Sequence, residues 1–147
     1  MPSEPLALLL LRASRWFDRQ LLDRLEEDAW PRLTPAQSLV FAHLSPEGVP
    51  PATLARQLGT SRQAAQDLVG GLVRHGLLEL VPDPARRGGR LVTLTPTGRS
   101  LASDARAILD ELENGLGAER ARALRHLLAD FGRSPTDDDT SAGAPGE

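Results

Sequence analysis

Two glycines, each placed directly after a short amphipathic segment, restrict this chain more than any other feature. They lie in ATLARQLGTSRQAAQDLVGGLVRHGLLEL, residues 52–80. Leu54, Ala55 and Leu58 share one face at helical spacing. Gly59 follows at once and can take the left-handed conformation that ends a helix and reverses the chain. Thr60 and Ser61 carry hydroxyls suited to capping the next helix, because a side-chain oxygen accepts from the free N–H groups of a first turn. That second helix has Ala65, Leu68 and Leu72 at i, i+3, i+7, and Gly76 stops it after Arg74 and His75. Stepping 100° per residue from Leu68 predicts a buried side centred on Ser61, Ala64, Ala65, Leu68 and Leu72. The opposite side carries Arg62, Gln63, Gln66, Gly70 and Arg74, with Asp67 to one side. Arg suits guanine edges and phosphates, and Gln suits adenine edges. A helix-turn-helix presents its second helix in this way to the major groove. A polar helix face alone also fits simple solvation. The turn before it and the hairpin after it favour DNA reading.

The hairpin is read from LLELV (77–81), a break at Pro82-Asp83-Pro84, the basic glycine-rich tip Arg86-Arg87-Gly88-Gly89-Arg90, and LVTLT (91–95), which is rich in β-branched residues. Helix, helix, strand, basic loop, strand is the order of a winged helix-turn-helix. The three tip arginines suit a phosphate backbone or a narrow, electronegative minor groove. A basic tip that only keeps a hairpin soluble is the plainer reading. Its place directly after a helix-turn-helix favours contact.

LTPAQSLVFAHL (33–44), LARQLGTSRQAAQDLVGGLVRHGLLE (54–79) and DPARRGGRLVTLTPTG (83–98) together resemble the MarR family of bacterial transcriptional regulators. The order of flanking helices extends the likeness to about residue 131. There are two departures. Leu80 stands where the family often has Arg after its strand start, and Arg86 and Gly88 stand where its wing often has an Asp-x-Arg pair. In this chain Arg87 or Arg90 would have to take the minor-groove position.

Composition is that of an ordinary globular protein of one domain, with 40% hydrophobic and 25% charged residues in a chain of 147. Aromatics are only 3%, so packing must rest on Leu, Ala and Val. All 17 basic residues are Arg, whose planar fork suits phosphate. The net charge of −3 is unevenly spread. Residues 52–99 hold seven Arg against Asp67, Glu79 and Asp83, a local +4 beside −7 for the remainder. A basic reading head on an acidic body is the distribution a DNA-binding chain needs. The absence of cysteine excludes disulfides, thiol redox sensing and Cys-ligated zinc. LALLLL (6–11) has no basic residue before it and falls far short of the roughly 18 residues that span a bilayer. A cytoplasmic protein with no membrane segment is expected.

Residues 5–28 read as one helix, with Leu6, Leu10, Ala13, Phe17, Leu21 and Leu25 on a stripe widened by Leu8, Leu9, Leu11, Trp16 and Leu22. So wide a stripe needs cover on several sides, and a second subunit is its natural source. Pro31 is expected to end it. Thr34 should cap the next helix with Pro35 at its first position. That helix runs to about Leu44 and buries Leu39, Val40 and Phe41, and SPEGVPP (45–51) follows as a loop. After the wing, Thr95-Pro96 starts a helix with Leu101, Ala105, Ile108 and Leu112 inward, interrupted at Asn114-Gly115. A last helix from about Ala118 carries Ala121, Leu124, Leu127, Leu128 and Phe131. The resemblance implies that these terminal helices interleave between two subunits. Ser134–Glu147 is acidic and Pro/Gly-rich and is expected to be disordered.

No catalytic motif is present. His43, His75 and His126 lack partners at metal-ligand spacing, and Asp110, Glu111 and Glu113 read as a solvated helix face. There is no P-loop, dinucleotide fingerprint or nucleophile elbow, and no cofactor is implied. Trp16 and Trp30 read as core packing in preference to an effector pocket.

The chain is therefore expected to be mainly α with a small β-hairpin wing. A winged helix-turn-helix (33–98) is flanked by an N-terminal dimerisation helix (1–32) and C-terminal dimerisation helices (99–132), with an acidic tail (133–147). The expected DNA-binding residues are Thr60, Ser61, Arg62, Gln63, Gln66, Arg74, Arg86, Arg87 and Arg90. The resemblance implies a homodimeric regulator of the repressor type on a pseudo-palindromic site in double-stranded DNA, with release by a small-molecule effector. The alternative is a winged-helix module for protein–protein contact without DNA binding.

Overall fold

Apolar periodicity, caps and breakers place eight elements along the chain. They are α1 (Leu6–Glu27), α2 (Pro35–Ala42), α3 (Pro51–Leu58), α4 (Arg62–Arg74), β1 (Leu78–Pro82), β2 (Arg90–Leu94), α5 (Pro96–Leu116) and α6 (Ala118–Ala129). The computed structural model describes residues 3–131, and the acidic tail lies outside them. The fold is mainly helical with a two-stranded wing. The chain divides into two compact units after Asp110, within α5.

The first unit is built on the helix-turn-helix and hairpin. Gly59 takes φ +67°, ending α3, and the Ser61 hydroxyl accepts from the Ala64 N–H at 3.1 Å to start α4. Leu54, Leu72, Leu77, Leu78 and Val92 are almost fully buried and belong to one core with Val40, Val69 and Leu101. Each buried Val or Leu contributes about 1.5–3 kcal/mol relative to exposure. β1 and β2 pair antiparallel with Leu78 opposite Leu94 and Pro82 opposite Arg90. Leu80 therefore shares the inner face with Leu78, Val92 and Arg90, since side chains alternate across a strand.

α2 begins with a complete capping box. Thr34 Oγ1 accepts from the Gln37 N–H at 3.1 Å, and Gln37 Oε1 accepts from the Thr34 N–H at 3.0 Å. Gln37 also reaches α4, because a Cβ on Gly71 would stand 2.7 Å from its Nε2. Gly71 thus leaves room for the end of the Gln37 side chain.

Several expectations need correction. The buried line of α4 runs through Ala65, Val69 and Leu72; Leu68 is half-buried and Ser61 exposed, because α3 and the hairpin cover the helix from a slightly rotated direction. Leu39 is 51% exposed and Val40 is the buried residue of α2. α1 ends at Glu27, before Pro31, where Ala29 turns the chain at φ +66°. Asn114-Gly115 does not break α5, which continues to Leu116 and stops at Gly117 with φ +91°. An isolated glycine is tolerated inside a helix at about 1 kcal/mol, whereas Gly117 meets a conformation that only glycine takes freely. The 45–51 segment is not all loop. Val49 bridges Val92, with hydrogen bonds of 3.0 and 2.8 Å, and adds a one-residue third strand to the wing.

The start of α5 is tied into the hairpin. Thr95 Oγ1 donates to the Gly76 carbonyl at 2.6 Å and accepts from the Gly98 N–H at 3.0 Å, while the Thr95 N–H donates to the Leu77 carbonyl at 3.1 Å. A Cβ on Gly98 would stand 1.9 Å from the Leu77 oxygen, so only glycine lets α5 lie this close to the strand. Trp30 packs against the core and its Nε1–H donates to Asp104 Oδ2 at 2.9 Å, pinning the chain after α1 to α5.

The second unit contains the end of α5 and α6, with an Arg125–Glu113 ion pair. No residue of α6 is buried. Leu124, Leu127, Leu128 and Phe131 all lie open. In the first unit Leu21, Leu22 and Leu25 are buried, but Leu6, Leu8, Leu9 and Leu11 are 44–58% exposed.

Candidate nucleic-acid interface

The turn between α3 and α4 brings the start of α4 to the surface. Arg62, Gln63, Gln66 and Arg74 are all exposed, as the helical spacing predicts. Ser61 spends one lone pair on its cap and keeps its hydroxyl proton to donate. Thr60 does not cap; its hydroxyl donates to the Ser61 carbonyl at 3.1 Å and tightens the turn. Gln63 Nε2 donates to Asp67 Oδ1 at 3.0 Å, so Asp67 is not a bystander but holds the amide.

Arg74 lies back along α4 over the glycine pair. Its Nη1 would be 3.5 Å from a Cβ on Gly70, and its Nη2 3.8 Å from one on Gly71. Long helical side chains lean toward the N-terminus, and the two glycines leave the shallow bed that this one occupies. Gly70 is half-buried rather than fully outward.

The wing loop is ordered by its own turns. Asp83 Oδ1 accepts from the Ala85 N–H at 2.9 Å, the Arg86 N–H donates to the Asp83 carbonyl at 3.3 Å, and the Gly89 N–H donates to the Arg86 carbonyl at 3.0 Å. Gly88 sits at φ +73°, a conformation that strains any residue with a Cβ. Arg86 folds back on the loop, with its Nε 3.2 Å from where a Cβ of Gly89 would be. Arg87 stands at the exposed tip. Arg90 is not in the tip but opens β2 opposite Pro82, on the face turned toward α4.

Among the described residues, Arg62, Arg74, Arg86, Arg87 and Arg90 have no carboxylate partner, as is also true of Arg15, Arg19, Arg120 and Arg122 elsewhere, while Arg12, Arg32, Arg106 and Arg125 are in ion pairs. The reading head therefore presents uncompensated positive charge. No group of three or more His, Cys, Asp or Glu is placed to hold a metal among the described residues. Among them, too, no helix is long and apolar enough to cross a membrane.

The sequence reading missed a cleft of about 310 Å³ between α4 and the wing, lined by Val69, Gly70, Val73, Leu80, Gln66 and Arg90, with Pro51 and Ala65. Val73 and Leu80, at 39% and 41% exposure, form its open apolar wall. An apolar residue at Leu80, where the resembling family carries charge, was the available signal. Two larger cavities lie along α1. One of about 890 Å³ is bounded by Leu8, Leu11, Arg12, Arg15, Arg19 and Arg32. The other, of about 720 Å³, is bounded by Phe17, Leu25, Phe41, Leu101, Arg106 and Leu109. Neither has Trp16 or Trp30 in its wall.

Comparison with known proteins places these features. A family model described as MarR family matches residues 33–87. The transcriptional activatory protein BadR of Rhodopseudomonas palustris (strain ATCC BAA-98 / CGA009) is 41% identical over 71 residues, covering 46% of this chain and 41% of BadR. The chain thus matches about two fifths of that relative's length. The reduced form of MarR from E. coli superposes with a TM-score of 0.72 at 25% identity, covering 90% of this chain and all of MarR. The transcriptional repressor CouR, bound to a 23-mer DNA duplex, gives a TM-score of 0.70 at 27% identity, covering 88% of this chain and 93% of CouR.

Proposed function

Because this chain belongs to the MarR family of winged-helix regulators, we propose that it binds a pseudo-palindromic operator in double-stranded DNA as a homodimer and represses transcription from it. The observation that carries this reading is the clustering of five arginines without carboxylate partners, Arg62, Arg74, Arg86, Arg87 and Arg90, across α4 and the wing. Arg62, Gln63 and Gln66, with Thr60 and Ser61 at the helix start and Arg74 further along, form the major-groove surface. Arg86, Arg87 and Arg90 form the wing's share of the interface. Residues 33–98 act as the DNA-binding domain.

The dimer is supported by apolar surface without cover in either unit: the first turns of α1 and the length of α6. Contiguous exposed leucines on this scale mark an association surface. Residues 1–32 and 99–132 serve this association. Twofold symmetry then requires half-sites about one helical turn apart. The effector is assigned to the cavities along α1, where leucine or phenylalanine walls meet arginine rims. A ligand there acts only by preferring one separation of the two reading heads. BadR is an activator by name and CouR a repressor by name, so the direction of control is a separate measurement on a reporter promoter.

The test is anisotropy on duplexes selected from genomic fragments, over a range of salt. Binding to selected duplexes with a log–log salt slope steeper than about −4 is expected if five or more phosphates are neutralised. Recovery of no preferred duplex, or a slope near zero, would favour the protein–protein module.

A further inference from the structure

The cleft between α4 and the wing lies apart from Arg62 and Gln63 of α4 and from Arg86 and Arg87 of the wing tip, and its proposed role rests on the DNA-binding reading above. With α4 in the major groove and the wing against the adjoining minor groove, the sugar–phosphate strand that separates the two grooves must cross between them. The cleft lies between these same two elements, so on that reading it would receive this strand. Its wall is apolar: Val69, Val73, Leu80 and Pro51, with Gly70 adding no side chain. Its polar members are Gln66 and Arg90, and Arg90 has no ion-pair partner among the described residues. A DNA strand alternates in the same manner, an apolar deoxyribose ring followed by an anionic phosphate.

We propose that this cleft seats one deoxyribose of the crossing strand against Val73 and Leu80, with Arg90 on the neighbouring phosphate. The cleft is continuous with the unpaired basic surface of α4 and the wing, and its one charge has the sign that the strand requires. A deoxyribose has no 2′-hydroxyl, so it loses nothing against leucine and valine. A ribose would bring a hydroxyl onto a wall with no partner for it, and burying an unpaired hydroxyl is costly. The cleft therefore makes the protein sensitive to sugar chemistry at one nucleotide per half-site, independently of base sequence.

The experiment uses the full chain and a duplex selected from random sequence, in which single deoxynucleotides are replaced in turn by ribonucleotides. One position per half-site should lose about tenfold in affinity, or more, when it becomes ribose. In Leu80→Ser or Val73→Ser, each checked for an unchanged melting transition, the loss at that position should shrink to under threefold. A neutral methylphosphonate at the adjoining phosphate should weaken the wild type and leave Arg90→Ala unaffected. Uniform tolerance of ribose at every position would overturn the proposal. So would a sensitive position that both serine variants retain, since the cause would then be sugar pucker in the DNA, and so would a small apolar ligand or a second copy of the chain found in the cleft of the DNA complex. If no duplex emerges from the selection, the DNA-binding reading fails first, and the proposal with it.

Discussion

Gly98→Ala tests the junction that holds the wing to α5. The new methyl carbon would stand 1.9 Å from the Leu77 oxygen and 2.9 Å from its carbonyl carbon, both backbone atoms that no rotamer change can move. Reaching even the 3.0 Å below which real Cβ atoms essentially never approach a neighbour means opening the junction by about 1.1 Å. That opening carries Thr95 Oγ1···Gly76 O, now 2.6 Å, and Thr95 N···Leu77 O, now 3.1 Å, out of hydrogen-bond range. Two broken hydrogen bonds at about 1 kcal/mol each, with overpacking strain of about 1–3 kcal/mol, exceed the gain of up to about 1 kcal/mol from alanine in a helix. A net destabilisation of about 2–4 kcal/mol corresponds to a melting temperature lower by roughly 4–16 °C for a chain of this size. Thermal unfolding followed by far-ultraviolet circular dichroism measures it. Gly115→Ala, in the same helix with nothing within 4 Å, is the control and should raise the midpoint by a few degrees. A Gly98→Ala midpoint within about 2 °C of wild type would refute the reasoning, because the junction would then be soft.

Three further outcomes are expected. Changing Leu124, Leu127 and Leu128 to Gln should leave each chain folded, since no residue of α6 is buried, yet weaken or abolish the proposed dimer in light scattering; an unchanged dimer would place the subunit interface elsewhere, and a wild-type monomer would refute the dimer itself. Replacing Arg86, Arg87 and Arg90 with Ala should make the log–log salt slope for operator binding shallower by about 0.9 for each phosphate no longer neutralised, and an unchanged slope would remove the wing from the interface. Gly70→Ala should raise the melting temperature by a few degrees, because the nearest atom to its new methyl is the tip of Arg74 at 3.5 Å. Operator affinity should stay within about threefold, whereas a tenfold drop with the fold intact would mean that DNA comes closer to α4 than the cleft suggests.

Most of the helical architecture is local in origin and was legible in the residues. Gly59 at φ +67°, the Ser61 cap and the Thr34–Pro35 start each depend on atoms within four residues, so composition and spacing suffice to place them. The exposure of Arg62 and Arg74 on α4 was legible for the same reason, since it follows from helical periodicity once the buried side is approximately known. The errors arose where a distant neighbour decides. Leu39 and Val40 are equally apolar, and only the packing of α4 against α2 selects Val40 for the core. Val69 outranks Leu68 because covering elements approach α4 from a direction that its own periodicity does not contain.

Other features exist only in three dimensions. Gly98 is an ordinary helix glycine in the sequence, and only the Leu77 carbonyl packed against it shows why no larger residue fits. The Val49–Val92 bridge joins residues far apart in the chain and has no local signature. Arg90 reads as part of a basic tip, yet strand register with Pro82 moves it to the inner face beside Leu80 and so creates the cleft. Short-range hydrogen bonds and steric limits belong to a few neighbouring residues and are therefore written in the sequence. Close approach, register and the boundary between core and surface are set by which elements meet, and the tertiary structure alone decides that.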